Sequence, residues 1–166
     1  MVPDSKCWND IQEGDELPVK TRNITRVDVI AMAFAARDFL PPLHIDHEVA
    51  QAAGLKDINV NMIATGGLIG KYLTDWSGPE GRLKRMKYNL SNSVYPGDSL
   101  TQTGRVVKKY IDGEEHLVDV EYSFSVPAGP HAWGTATMVL PAFARKTVPK
   151  GHLDVHVEGS QPCPGG

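Results

Sequence analysis

Hydrophobic spacing in this chain changes period near residue 80. After an opening strand, apolar residues recur at helical intervals; beyond residue 80 they alternate in long runs joined by short turns. Leu17-Pro18-Val19-Lys20-Thr21-Arg22-Asn23-Ile24 alternates well enough for that first strand. Thr25-Arg26-Val27-Asp28 has the form of a capping box, with Asp in place of the preferred Glu. It predicts a helix through Val29, Ile30, Met32, Ala33 and Phe34 that ends near Asp38. His47 to Ala53 predicts a short helix closed by Gly54. The longest helical pattern follows, in Met62, Ile63, Ala64, Leu68, Ile69, Tyr72, Leu73 and Trp76, with Asn59 or Asn61 as N-cap and Gly78-Pro79 as its stop. Apolar residues cover most of its circumference, which predicts a buried helix rather than a half-exposed one. Gly66 and Gly67 interrupt it as poor helix formers; they either admit another backbone closely or leave room for a ligand.

From Arg82 to Val94, Asp98 to Tyr110, His116 to Val126 and His131 to Leu140 the chain predicts four long strands. Tyr95-Pro96-Gly97, Asp112-Gly113 and Ala128-Gly129-Pro130 mark the turns, which implies an antiparallel meander. The fold class is α+β. A long apolar helix followed by four such strands leaves one good architecture, a single hot-dog domain in which an antiparallel sheet wraps around a central helix. That domain is expected over residues 1–145. Residues 146–166, which end in a Gly/Pro-rich run, form a tail expected to be flexible or to contact a partner chain. Before Leu17 a loose arm is expected, anchored by Trp8 and Ile11.

Composition narrows the functional classes. With 41% apolar and 22% charged residues the chain is ordinary for a globular protein, and a net charge of −3 argues against nucleic acid as a partner. No apolar run approaches a membrane span, and Met1 to Lys6 lacks the apolar core of a signal peptide. Cys7 and Cys163 form neither a metal-ligand spacing nor a disulfide framework, so a reducing cytoplasm is the simplest expectation. No metal is expected.

The candidate chemistry lies in Arg37-Asp38-Phe39-Leu40-Pro41-Pro42-Leu43-His44-Ile45-Asp46. Two prolines stiffen the bend and bias the residues before them away from helix, so Asp38 and His44 can be held near one another. A carboxylate beside an imidazole suits acid–base chemistry near neutral pH; the plainer reading is a helix–loop–helix connection with a polar residue at each end.

The same run resembles the signature of the MaoC-like (R)-specific enoyl-CoA hydratases, Asp-Phe-Asn-Pro-Leu/Ile-His-x-Asp. Asp57-Ile58-Asn59-Val60-Asn61-Met62 stands where that family has Pro-Ile-x-His-Gly-Met at the start of the hot-dog helix. Val94-Tyr95-Pro96-Gly97-Asp98-Ser99-Leu100 resembles its Val-x-x-Gly-Asp-x-Val turn. With Gly14-Asp15-Glu16, the likeness spans roughly residues 8 to 142. It implies that Asp38 and His44 are the catalytic pair, activating a water for addition to an enoyl thioester. It also implies that the backbone N–H at Asn61 binds the thioester oxygen, a role that a helix N-terminus favours. No cofactor is implied, since CoA is part of the substrate. Three departures stand out. One extra residue, matching Pro42, separates Asp38 from His44; the loop Asn is absent; and Val60-Asn61 replaces His-Gly. Asp57-Ile58…Val60-Asn61 and Thr74-Asp75-Trp76-Ser77-Gly78-Pro79 further resemble the small hot-dog subunit of the two-chain hydratase of bacterial steroid side-chain degradation. That implies a bulky acyl-CoA substrate and a second hot-dog chain, with a heteromer favoured over a homodimer. Two alternatives stay open: a non-catalytic subunit that shapes a partner's acyl tunnel, and a hot-dog thioesterase.

Other residues fit simpler roles. Asp46 is expected to cap the helix at His47, and a second site carboxylate is the alternative. His47 is expected on an exposed helix face, and His116, His131, His152 and His156 in surface or packing roles. Trp76 and Trp133 are expected in the core. Arg82, Lys84, Arg85 and Lys87 form a basic cluster, read either as a solvated strand face or as an anchor for CoA phosphates.

Overall fold

The computed structural model describes residues 5–143; the expected tail contacts at Val148, Leu153, Val155 and Val157, with His152, His156 and Cys163, lie outside the described residues. A 3-10 turn at Trp8–Asp10 leads to β1 (Glu16–Asn23), α1 (Arg26–Ala35), α2 (His47–Ala52), α3 (Met62–Ser77), β2 (Arg82–Leu90), β3 (Ser99–Asp112), β4 (Glu115–Val126) and β5 (Gly129–Val139). The five strands form one antiparallel sheet in the order β1-β3-β4-β5-β2, against which α3 packs. This is the hot-dog arrangement.

Local signals set the helix starts. Thr25 Oγ1 accepts from the Asp28 N–H while the Asp28 carboxylate accepts from the Thr25 N–H, so the capping box closes even with Asp. Asp46 caps α2 by accepting from the Glu48 and Val49 N–H groups. Asn61, rather than Asn59, caps α3. Between sheet and helix lie Ile69, Tyr72, Leu73, Phe124, Val120 and Met138, all at most 1% exposed, with Tyr72 and Phe124 packed edge to face at 5.6 Å. The N-terminal segment is better fixed than a loose arm. Trp8 Nε1–H donates to Leu117 O at 3.0 Å, and Ile11 is buried.

Three expectations need correction. First, the strands do not form a four-strand meander: only β3, β4 and β5 follow one another in the sheet, while β2 pairs with β5 at the far edge. Alternating hydrophobicity gives each strand a face but not a neighbour. β2 also stops at Leu90 rather than Val94. Val94 O accepts instead from the Val60 N–H, and the Tyr95–Asp98 turn bonds to Ile24 at the end of β1. Second, α3 is buried on one side only; Met62 and Ile63 are 61% and 54% exposed. Third, Trp133 is 41% exposed on the sheet, although Trp76 is in the core.

Candidate active site

The local fold brings Asp38 and His44 together. α1 ends in a Schellman arrangement, with the Arg37 N–H donating to Phe34 O at 3.1 Å and the Asp38 N–H to Ala33 O at 2.9 Å. Arg37 occupies the left-handed position at φ 54°, where glycine is the usual residue. Phe39 then stacks on Phe34 with centroids 5.3 Å apart. Pro42–His44 form a single 3-10 turn, in which Pro42 O accepts from the Ile45 N–H at 3.2 Å and the Asp46 N–H at 2.9 Å. This turn absorbs the extra residue. His44 Nε2 comes within 3.7 Å of Asp38 Oδ2, with the two side chains 18% and 34% exposed, so the pair is sheltered yet reachable.

At 3.7 Å the two groups are too far apart for a direct hydrogen bond, a spacing that one bridging hydroxyl fills. On the other side of the ring, Nδ1 lies 2.8 Å from Asn59 O. A carbonyl only accepts, so Nδ1 carries a proton and Nε2 of the neutral imidazole turns its lone pair toward Asp38.

The segment supplying that carbonyl is held from both ends. Asn59 Nδ2 donates to Ser93 Oγ at 3.2 Å. Asp57 accepts two bonds from Arg26 at 3.0 and 2.6 Å, one from His47 Nδ1 at 2.8 Å and one from the Ile58 N–H at 2.7 Å. It thereby ties α1 and α2 to the residues that orient His44. The Arg26 guanidinium leads in holding the Asp57 carboxyl far below its ordinary range. The sign follows from a depressed carboxyl: its stabilisation is complete above the ordinary carboxylate range and is lost as pH falls through and below it. Thermal melts of wild type and Asp57→Asn should therefore differ most at neutral pH and converge on acidification. A gap constant with pH would remove Asp57 as the acid-sensitive tie.

Asn61 stands where a helix start should. Its Oδ1 accepts from the Ala64 N–H at 2.6 Å and its carbonyl from the Thr65 N–H at 3.0 Å. The Met62 and Ile63 N–H groups, in the first turn of α3, have no carbonyl within the helix to bind. His131 is buried beneath this turn. Its Nδ1–H donates to Asn92 O at 2.6 Å and its Nε2 lies 3.0 Å from Thr65 Oγ1, while burial pushes its pKa down, toward the neutral ring. It is a structural histidine, joining β5 to α3. His116 packs edge to face on Trp8.

The basic cluster does not act as a unit. Arg82 and Lys84 share Glu115 in ion pairs. Lys87 lines a groove of about 790 Å³ with Glu121, Trp133 and Thr135, whereas its neighbour Tyr88 turns to the helix side and donates to Met62 O at 3.2 Å. Ser93, which no sequence motif included, and Asp57, which stood in a motif without a role of its own, complete the site. Their part is to hold the Asn59 carbonyl, and a backbone acceptor leaves no signature in side-chain patterns. Among the described residues no group of three or more His, Cys, Asp or Glu is arranged to hold a metal ion, and no helix is long and apolar enough to cross a membrane.

Known proteins resemble the chain at several levels. The MaoC like domain model matches residues 11–126. The chain is 38% identical over 78 residues to the 3-oxo-4,17-pregnadiene-20-carboxyl-CoA hydratase beta subunit of Mycobacterium tuberculosis, a match over 47% of this chain and 60% of that relative's length. In structure it is similar to a chain of the ChsH1-ChsH2 complex from Mycobacterium tuberculosis, with a TM-score of 0.72 and 31% identity, covering 78% of this chain and 98% of that one. It also shares its fold with the R-hydratase PhaJ1 from Pseudomonas aeruginosa, with a TM-score of 0.72 and 19% identity over 90% of this chain and 96% of that one.

Proposed function

Because this chain belongs to the MaoC-like domain family, we propose that it is an enoyl-CoA hydratase whose acid–base pair is Asp38 and His44. The observation that carries this reading is the 3.7 Å approach of His44 Nε2 to the Asp38 carboxylate, with Nδ1 committed to Asn59 O. A water between them gives one proton to Nε2 as its oxygen bonds C3 of the enoyl group. The Asp38 carboxylate stabilises the imidazolium that forms. Negative charge moves to the thioester oxygen, which the Asn61 backbone N–H and the first turn of α3 receive. A proton then returns to C2, giving the 3-hydroxyacyl-CoA with all atoms of water retained. The hydratase subunit among the relatives supports a bulky, steroid side-chain type of acyl group. No cofactor enters this scheme.

The reading includes a second hot-dog chain. β1 and β2 are the outer strands of the sheet, and an outer strand presents unpaired N–H and C=O groups to a neighbour. The resemblance to a chain from a two-component complex favours a different hot-dog protein over a second copy. Loss of enoyl thioester absorbance, measured with short, long and polycyclic enoyl-CoA, tests the activity. Light scattering on the chain alone and with candidate partners tests the assembly. A mass of at least two chains is expected, with full turnover only in the heteromer. A fully active monomer contradicts the assembly, and a heteromer in which turnover survives loss of Asp38 and His44 favours a non-catalytic subunit that shapes its partner's acyl tunnel.

A further inference from the structure

Among the described residues two buried side-chain atoms have no hydrogen-bond partner, Asn59 Oδ1 and Asn61 Nδ2. Both belong to the segment that carries the site. Burying a polar atom unpaired costs free energy. An unpaired acceptor such as Asn59 Oδ1 repels negative charge, whereas an unpaired donor such as Asn61 Nδ2 attracts it. Asn61 is 3% exposed, and its side chain caps α3 by accepting from the Ala64 N–H at 2.6 Å. An amide nitrogen cannot accept that bond, so the contact settles which end of the amide is oxygen. Capping uses the oxygen alone. Serine and aspartate cap about as well as asparagine, and aspartate would add a favourable charge at a helix start. The Nδ2 donor is therefore surplus to the cap. The bond to Ala64 lays the amide across the end of a 16-residue helix, beside the first-turn N–H groups that have no carbonyl in the helix to bind. This end of the helix can be reached from outside, because Met62 and Ile63 are largely exposed.

We propose that the Asn61 side chain is itself catalytic, its Nδ2–H donating to the thioester oxygen as negative charge gathers there. The proposal rests on the enoyl-CoA reading above. It gives that oxygen two donors from one residue, the backbone N–H and the side-chain amide, with the amide fixed by the cap before substrate arrives. Base and donors come from one short segment. Asn59, whose carbonyl orients His44, is two residues from Asn61, at most about 7 Å along an extended chain. That is short enough to serve one conjugated group, attacked at C3 while charge collects on its carbonyl oxygen. As the water oxygen bonds C3, the electron pair between C2 and C3 moves to C1–C2 and the carbonyl pair moves onto oxygen. The pair returns to C2 when that carbon takes a proton, and the Asn61 protons stay on nitrogen throughout. The use of Asn rather than Asp as the cap follows, since a carboxylate would set its charge against the one that forms.

Two substitutions separate this role from capping. Asn61→Asp and Asn61→Ser both keep a capping oxygen, so a purely structural Asn61 would leave kcat unchanged in either. With the assembled protein and an enoyl-CoA, both variants are expected to lower kcat about 100- to 1,000-fold, the usual effect of losing one oxyanion donor. KM should move far less, and melting temperatures should stay near that of wild type. A second measurement reads the donor without turnover. In His44→Gln, which is expected to bind substrate without hydrating it, the infrared stretch of an isotope-labelled enoyl thioester carbonyl should move to lower frequency on binding. Adding Asn61→Ser should reverse part of that shift. Wild-type kcat in both Asn61 variants, or a carbonyl stretch that binding leaves unmoved, would overturn the inference and leave the hydratase reading in place. If wild type forms no 3-hydroxyacyl-CoA, both fall.

Discussion

Replacing His44 with Gln, or Asp38 with Asn, is expected to lower hydration by about 100-fold or more, the usual cost of removing a positioned acid–base group. His44 matters twice. In the proposed mechanism its Nε2 takes the proton, and its Nδ1–H bond to Asn59 O fixes which nitrogen that is. Glutamine offers an amide of similar reach but no basic nitrogen. Asparagine at 38 preserves the shape of the carboxylate and removes its charge, so the imidazolium formed during addition loses its counterion. Affinity for a CoA thioester should largely survive, because neither side chain is assigned to the nucleotide. Far-ultraviolet spectra should also be unchanged, since neither side chain, at 18% and 34% exposed, belongs to the buried core. The rate losses should not multiply in the double variant if, as proposed, the two groups act on one water. Wild-type turnover in both single variants would place the chemistry elsewhere.

The largest structural effect is expected at Gly134, on β5. A Cβ built there would sit 1.9 Å from Lys87 O and 2.8 Å from the Tyr88 Cα, both of them backbone atoms of β2. No rotamer change relieves that contact, so Gly134→Ala must push β2 away from β5. Overpacking commonly costs about 1–3 kcal/mol and more where the backbone must move, and this case belongs at or beyond the upper end. The consequence reaches the site, because Tyr88 meets Gly66 and Met62 O on α3. Chemical denaturation should show a midpoint shift of that size, with loss of turnover in parallel. Alanine tolerated at full stability would contradict the β2–β5 register.

Much of this was legible from residue patterns, and the rest fails for identifiable reasons. Capping chemistry is local, so the caps at Thr25 to Asp28 and at Asp46 follow from neighbouring residues, and the start of α3 was narrowed to Asn59 or Asn61, of which Asn61 is the cap. The Asp38–His44 approach is also local, made by a Schellman turn and a proline-led 3-10 turn within one loop. Strand order is not local. The expected pairing of β2 with β3 ignored the chain from Ser91 to Asp98, whose backbone serves Val60 and Ile24 rather than a hairpin. The exposed side of α3 was misread because apolar residues at Met62 and Ile63 look like core by period alone, yet face outward. The positioning role of Asn59 escaped for a different reason: it acts through its carbonyl, which every residue possesses.

The central claim is that water is added to the double bond and that the thioester is left intact. It is tested most directly by incubating the assembled protein with an enoyl-CoA in heavy-oxygen water and reading the product by mass spectrometry. The account predicts a 3-hydroxyacyl-CoA with one heavy oxygen on C3, formed by wild type and not by His44→Gln. Free CoA with the heavy oxygen in a released carboxylic acid would contradict it, as the signature of a thioesterase.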